Sequence, residues 1–337
     1  MIYLEDDYLE IRFPEVHEDA DVSITFQRTL RLPDDGKTHH LPPGLGRFPL
    51  RHIEDFDLKK HNHLKNRGGI IMPMFQADAL WINFEPIQIM EDEDYLTADI
   101  DYPIAVKIGT GKICAVSGED WSSTLNRDPQ DYVVVPEQPW IDGYNVGFDK
   151  VRQFVAAPLS EGYTAEEQLT GKATIGGIQI QAFPMKKEYY NQLINRKMSE
   201  SVNYCMESAS FSMGLAPGGA MHQKIYEDPY PLEAWDLRKS ERCFVTITNA
   251  EQWMGITGEE PPISPRTAHE YTEAGLPWFD YYDGDKVAID GAKRLSTIKS
   301  VKNIKPKHGE NFWGDDLPVT NPKVVQINKR EVNAGEW

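Results

Sequence analysis

The chain has 337 residues and a formal net charge of -18 at pH 7, and 40% of its residues are hydrophobic. Its 8 Trp, 15 Tyr and 13 Phe predict a substantial buried core, within one large domain or two ordinary ones. The negative charge disfavours nucleic acid and anionic membranes as partners, and no apolar run of about 18 residues predicts a membrane-spanning helix.

Strand patterns dominate the first two thirds of the chain, where apolar and polar residues alternate between turn residues. The turn chemistry of Asp34-Asp35-Gly36 closes one such run, and Gly109-Thr110-Gly111 predicts the turn of a hairpin. The predicted strands cover 3–13, 22–32, 68–84, 104–116, 132–135, 151–156 and 178–183.

Helix signals follow later in the chain. Thr164 and Glu167 have the spacing of a capping box, which predicts the start of a short helix. Leu295, Ile298 and Val301 recur every three residues, which predicts an amphipathic helix. This helix covers 290–304, and further helices are predicted at 186–198, 232–238, 250–254 and 265–274, around a strand at 243–248.

Strands first and helices later favour an α+β fold over alternating βαβ units. We expect a β-rich N-terminal two-thirds of mostly antiparallel strands, arranged as a sandwich or barrel, with helices concentrated in the C-terminal third. The predicted division is a β-rich body over residues 1–255 and a helical and extended region over 256–337 that packs on it, in one domain or two. The acidic N-terminus lacks a signal region, and three distant cysteines predict no disulfide framework, so we expect a cytoplasmic protein.

One glycine-rich stretch ends in ionisable residues. Gly218 and Gly219 offer a backbone nest for an anion, and His222 offers acid–base chemistry with Glu227 or Asp228. The alternative is an ordered, buried connection whose glycines permit close packing of the backbone. We prefer this alternative, because no motif elsewhere in the sequence completes a catalytic set.

A second candidate site pairs an aromatic ring with a carboxylate. Trp140 and Asp142 stand beside the turn residue Gly143, where they are suited to stack on and hydrogen-bond a sugar or a base. The same residue types serve core packing and subunit interfaces, and we place that interpretation first. A small molecule or glycan is therefore the alternative ligand at this position.

The N-terminal histidines are the candidate metal ligands. His39 and His40 are adjacent, and His61 and His63 have the spacing that puts two rings on one face of a strand. Lysines flank the second pair, and their charge repels a divalent cation. Solvated loop histidines are therefore the preferred interpretation.

Signatures of cofactor chemistry are missing from the sequence. No third glycine follows Gly109-Thr110-Gly111 at the dinucleotide-binding spacing, and Val106 stands where a P-loop requires glycine. There is no nucleophile elbow, no His-Glu-x-x-His and no Cys-x-x-Cys, and Leu96 interrupts the acidic run 91–101 where a calcium loop requires an oxygen ligand. No cofactor is therefore expected.

The segment 286–308 is basic on an otherwise acidic protein, with Asp290 as its single carboxylate. A basic segment of this kind has two interpretations. It is either a solvent-exposed face, or it docks on an acidic surface of the same chain or of a neighbour. Together with the tryptophan-rich loops, this contrast predicts a homo-oligomer.

Several stretches resemble a family of conserved bacterial proteins of uncharacterised function. They are 41–50, 152–159 with 162–164, 176–180 and 213–219. The resemblance spans most of the chain and implies a single evolutionary unit. It implies no activity, fold or ligand.

The leading hypothesis is a non-enzymatic, acidic cytoplasmic protein that binds partners or self-assembles. The first alternative is a carbohydrate-active or other hydrolase that uses His222 with Glu227 or Asp228. The second alternative is a metal-binding protein that uses the N-terminal histidines.

Overall fold

The structure is a computed structural model that describes residues 1–57, 64, 67–87, 101–172, 176–197, 214–263, 267–281, 286–305, 317–320 and 322–327. Within these residues the protein is rich in strands, and four α-helices accompany several mixed sheets. The strand-rich class expected from the sequence is confirmed. None of the described helices is long and apolar enough to cross a membrane.

The described strands are β1 (Ile2–Glu5), β2 (Tyr8–Arg12), β3 (Asp21–Thr29), β4 (Thr38–His39), β5 (Gly44–Arg47), β6 (Arg51–His52), β7 (Ile70–Pro73), β8 (Ala79–Glu85), β9 (Ile104–Thr110), β10 (Ile113–Cys114), β11 (Val133–Val135), β12 (Trp140–Ile141), β13 (Gly143–Gly147), β14 (Lys150–Ala157), β15 (Ile178–Pro184), β16 (Gly214–His222), β17 (Glu241–Thr248), β18 (Pro277–Tyr281) and β19 (Lys323–Ile327). The α-helices are α1 (Ala165–Thr170), α2 (Lys187–Lys197), α3 (Ala250–Thr257) and α4 (Ala268–Glu273).

The larger sheet has ten strands in the order β1-β2-β3-β8-β14-β16-β4, with β5 beside β3, β12 beside β8 and β13 beside β14. The second sheet has seven strands in the order β10-β9-β15-β17-β7-β6, with β11 beside β9. Most described strand pairs are antiparallel. The parallel pairs are β4 with β16, β7 with β17, and the separate pair of β18 and β19.

The single strand predicted over 3–13 is wrong, because a tight turn divides it. Asp6 and Asp7 have φ angles of 45° and 68° and connect β1 to β2. A two-residue turn with both φ angles positive matches the right-handed twist of paired strands. In β2, Leu9 and Ile11 are buried and the residues between them are partly exposed, since one face of the hairpin covers the core.

One hydrophobic cluster joins the two large sheets to the region after residue 255. Phe26 of β3 and Ile180 of β15 are fully buried in this cluster. Trp278 of β18 and Leu295 from a later loop belong to the same cluster. The C-terminal region therefore shares its buried apolar surface with the body, and this burial is the main stabilising contribution.

Capping sequences were reliable guides to the helices. The backbone N–H of Glu167 donates to Thr164 Oγ1 at 3.2 Å at the start of α1, as the capping box predicts. Thr267 is the N-cap of α4, so the described helix begins at Ala268, within the predicted range 265–274. The predicted concentration of helices in the C-terminal third is not observed, because α1 and α2 lie before residue 198.

The amphipathic helix predicted at 290–304 is wrong. The helical parts of this segment are the two 3-10 turns Leu295–Thr297 and Val301–Asn303. Backbone groups of this segment form hydrogen bonds with distant parts of the chain. The side-chain amide of Gln168, for example, accepts the N–H of Lys299 and donates to its carbonyl oxygen. The apolar residues of the repeat are buried, but these distant hydrogen bonds replace a helical ladder.

The basic charge of this segment contacts acidic residues of the same chain. Lys286 Nζ lies 3.1 Å from Glu137 Oε2, and Arg294 lies 3.1 Å from both Glu119 and Asp120. The opposed charges that suggested docking on a neighbour are therefore used within one chain. Self-association stays a prediction.

We expect Gly219→Ala to destabilise the larger sheet. A Cβ at Gly219 would lie 2.7 Å from the carbonyl oxygen of Pro33 and 2.9 Å from Cβ of Leu32, so the backbone of a neighbouring segment would have to shift. The free energy of unfolding in urea should fall by about 1–3 kcal/mol.

Gly255→Ala is the matched control, because Gly255 lies within α3 and a new Cβ there meets no atom within 4 Å. This variant should raise the unfolding free energy by roughly 0.5–1 kcal/mol, since alanine favours the helix. Equal effects of the two substitutions would contradict the packing argument.

Candidate functional site

Three neighbouring strands bring Asp149, His222 and His40 to one end of the larger sheet. Strand β16 pairs antiparallel with β14, where Lys150 faces His222, and parallel with β4, which ends at His39. Asp149 lies in the turn before β14, and His40 directly follows β4. Because register fixes which residues are neighbours across a sheet, three residues that are distant in sequence become adjacent.

These three side chains line a pocket with a volume of about 270 Å³. Its aromatic lining is Trp140, Tyr226 and Tyr281. Lys224 and Asp280 add one positive and one negative group. The pocket therefore combines apolar ring surface with hydrogen-bonding groups of both kinds.

His222 is the most accessible of the pocket histidines. Its Nδ1 lies 3.6 Å from Asp149 Oδ2, and about half of each side chain is exposed. The rings of His222 and His40 are 6.1 Å apart between centroids and are tilted by 45°. His40 Nδ1 is buried without a hydrogen-bond partner.

Glutamine side chains hold the wall of the pocket in place. Gln138 donates to the carbonyl oxygens of Trp140 and Lys224, and its Oε1 accepts the backbone N–H of Tyr226 at 2.9 Å. A primary amide donates and accepts with the same geometry as a peptide group. Gln138 therefore links the segment after β16 to β12 in place of a strand ladder.

Gln130 makes the same arrangement of hydrogen bonds with the same segment, two residues further along the chain. Its Nε2 donates to the carbonyl oxygens of Tyr132 and Tyr226, and its Oε1 accepts the backbone N–H of Asp228 at 2.9 Å. In both cases the amide also bonds the carbonyl of the residue two positions later in the chain. The pattern is Gln-x-aromatic, and it is readable in the sequence.

Gln223 connects the pocket to a buried carboxyl group. Its Oε1 accepts the backbone N–H of Asp142 at 2.9 Å, and its Nε2 donates to Asp142 Oδ2 at 2.6 Å. Trp140 Nε1 donates to the same Oδ2 at 2.6 Å. Burial raises the pKa of Asp142 to about 7, and the hydrogen bond from Trp140 only partly opposes this.

Trp140 lines the pocket without being an open stacking platform. Only 7% of its surface is exposed, because Trp81 and Tyr281 pack edge-on against it at centroid distances of 6.0 and 4.9 Å. The predicted pairing of Trp140 with Asp142 exists as a direct hydrogen bond. Asp142 itself lies behind the indole, where it orients the ring.

Glu227 and Asp228 do not line the pocket with His222. Asp228 is 1% exposed, and its Oδ2 accepts hydrogen bonds from Tyr132 Oη at 2.5 Å and from Trp235 Nε1 at 2.9 Å. Glu227 is exposed and lies 3.8 Å from Arg127. The carboxylate beside His222 is Asp149, which sequence proximity did not suggest.

Gly218 and Gly219 form no anion nest, because both lie within β16 and neither has a positive φ angle. A Cβ at Gly218 would lie 2.4 Å from Cγ2 of Val155. The glycines therefore permit close packing between strands. The glycine-rich stretch, which the sequence suggested to be a connection, forms strand β16 of the larger sheet.

The predicted metal ligands are only partly within the described residues. His39 is buried, and its Nε2 lies 2.9 Å from Asp35 Oδ1, while His40 lines the pocket. His61 and His63 lie outside the described residues. Among the residues that are described, no group of three His, Cys, Asp or Glu side chains is placed to hold a metal ion.

The chain was compared with protein-family models, with curated proteins and with solved structures, and none of the three comparisons found a match. The resemblance to a bacterial family stays a prediction.

We expect the stability of the protein to fall as pH rises from about 4 to about 7, in part through Asp142. Its pKa in the folded state, about 7, lies above that of an unfolded aspartate, so the folded state binds more protons between these two values. Asp78, with a pKa raised to about 7 by burial, acts in the same direction.

Asp142→Asn removes one titrating group and keeps an oxygen for Trp140 and Gln223. The dependence of unfolding free energy on pH, measured by urea denaturation, should become shallower by up to about 1.4 kcal/mol per pH unit. The exposed Asp55→Asn is the control and should leave the slope unchanged. A slope that is the same in wild type and Asp142→Asn would disprove the assignment.

Proposed function

We propose that the protein binds a small, neutral, hydroxyl-rich molecule of about the size of a monosaccharide in the pocket between His40, His222 and Tyr281. We also propose that the two large sheets, which share one core cluster, pack as a sandwich and form the rigid base of this site. The observation that carries the proposal is the convergence of five distant segments on one pocket with both aromatic and hydrogen-bonding walls.

The size of the pocket supports a small ligand. Pockets for drug-sized molecules usually have volumes of about 300–1,000 Å³. The pocket here, at about 270 Å³, lies just below that range. A polymer would need an extended groove, so a single small ring is the better fit.

The charges support a neutral ligand. Asp149, Asp280 and Lys224 line the pocket together with two histidines, so groups of both charge signs surround the same space. Asp280 is held by the side-chain amide of Gln326, whose Nε2 donates to Oδ2 at 2.8 Å. Carboxylates accept hydrogen bonds from hydroxyl groups, while lysine and histidine donate to them.

Calorimetric titration with methyl glycosides of common hexoses tests this proposal, with acetate and methylammonium as charged comparisons. At least one glycoside should bind, and Asp280→Asn and Tyr281→Ala should each weaken its binding about tenfold, the effect of losing roughly 1.4 kcal/mol. His52→Gln, at an exposed position in the second sheet, is the control and should bind as wild type does. Binding of only the charged probes, or equal binding by all variants, would overturn the proposal.

A further inference from the structure

Two imidazoles and a carboxylate meet in the proposed binding pocket in an arrangement suited to proton transfer. His222 and His40 face the same space with 6.1 Å between ring centroids, and Asp149 lies 3.6 Å from His222 Nδ1. Acid–base hydrolysis requires one group that accepts a proton and a second that donates one, both within reach of the reacting bond. The two histidines meet this requirement from neighbouring positions, His222 at the end of β16 and His40 directly after β4.

The structure indicates a different role for each group. Asp149 lies on the Nδ1 side of His222, which leaves Nε2 of His222 to accept a proton from water. His40 lines the same pocket, and since its Nδ1 is buried, its Nε2 is the nitrogen assigned to donate to a leaving group from the protonated ring. Asp149 acts as a positioning residue because it reaches the reaction only through His222.

We propose that the pocket hydrolyses a small oxygen ester of a hydroxyl-rich molecule, with His222 as general base and His40 as general acid. This inference rests on the proposed binding function. The water oxygen forms a bond to the acyl carbon as His222 takes a water proton. The acyl C–O bond then breaks, and the departing alkoxide receives a proton from His40. The products are a carboxylic acid and an alcohol, and transfer of the proton from His222 to His40 through solvent restores both histidines.

An ester fits this site better than a glycoside. Glycoside hydrolysis usually uses two carboxyl groups that flank the bond. Of the two carboxylates that line this pocket, Asp149 lies against His222 Nδ1 and Asp280 accepts a hydrogen bond from Gln326, so the imidazoles are assigned the proton transfers. Lys224 lines the same pocket, and its positive charge is assigned to stabilise the oxyanion that develops at the carbonyl oxygen of the ester.

Hydrolysis of a mono-O-acetylated methyl hexoside by the full chain, followed by release of acetic acid, tests the proposal, because its alkoxide leaving group must take up a proton. His222→Gln and His40→Gln should each lower kcat/KM by about 100-fold, the usual contribution of one general acid or base. Asp149→Asn should lower kcat and leave KM unchanged, because it orients a group and does not bind the ester. His52→Gln is the matched control for reaction at surface histidines and should hydrolyse the ester as wild type does.

The double variant His40→Gln/His222→Gln sets the background rate, and circular dichroism establishes that each variant is folded. A wild-type rate equal to that background, or full activity in either single variant, would overturn the proposal. Calorimetry with the methyl glycosides on the same samples separates the two proposals. Glycoside binding without hydrolysis removes the catalytic proposal alone, and absence of both removes the binding proposal as well.

Discussion

The pocket depends on one kind of interaction, the hydrogen bonding of backbone groups by glutamine side chains. The segment after β16 runs past β12 at a place where no regular ladder joins them, yet its buried N–H and carbonyl groups require partners. Gln138 supplies them for the carbonyl of Lys224 and the N–H of Tyr226, while Gln223, from the segment itself, accepts the N–H of Asp142. Without these amides, each buried peptide group left unpaired would cost about 1–3 kcal/mol. Loss of these hydrogen bonds would therefore destabilise the position of the segment that carries Lys224 and Tyr226.

Sheet register provides the second constraint. His222 is placed by a strand whose glycines and proline allow very close packing, and its neighbours follow from pairing on both sides. A parallel edge strand of only two residues, β4, brings His40 alongside His222. A slip of one residue in either pairing would turn one of these side chains to the other face of the sheet. The geometry of the candidate site is therefore a consequence of backbone pairing more than of any local motif.

These two constraints explain which features were predictable from the sequence. Strands and capped helices are local, so alternation and the Thr164 and Glu167 pair were sufficient to find them. The role of Asp149 depends on pairing between distant strands, which a single sequence does not contain. The segment 290–304 has helical periodicity, but its backbone finds partners elsewhere, so tertiary hydrogen bonds overrode a correct apolar pattern. The repeated Gln-x-aromatic pattern was present in the sequence, and its meaning became clear only once the carbonyl partners were known.

Asp142 connects the stability of the scaffold to the occupancy of the pocket. Its carboxyl group bonds Trp140 and Gln223, two residues that line the pocket, while it is itself buried. Ionisation of this group would place an uncompensated charge behind the indole, which destabilises the wall. A ligand that binds only the intact wall stabilises the folded state in proportion to RT ln(1 + [L]/Kd). Through the hydrogen bonds of this buried carboxyl group, the free energy of unfolding and the geometry of the pocket wall depend on the same residues.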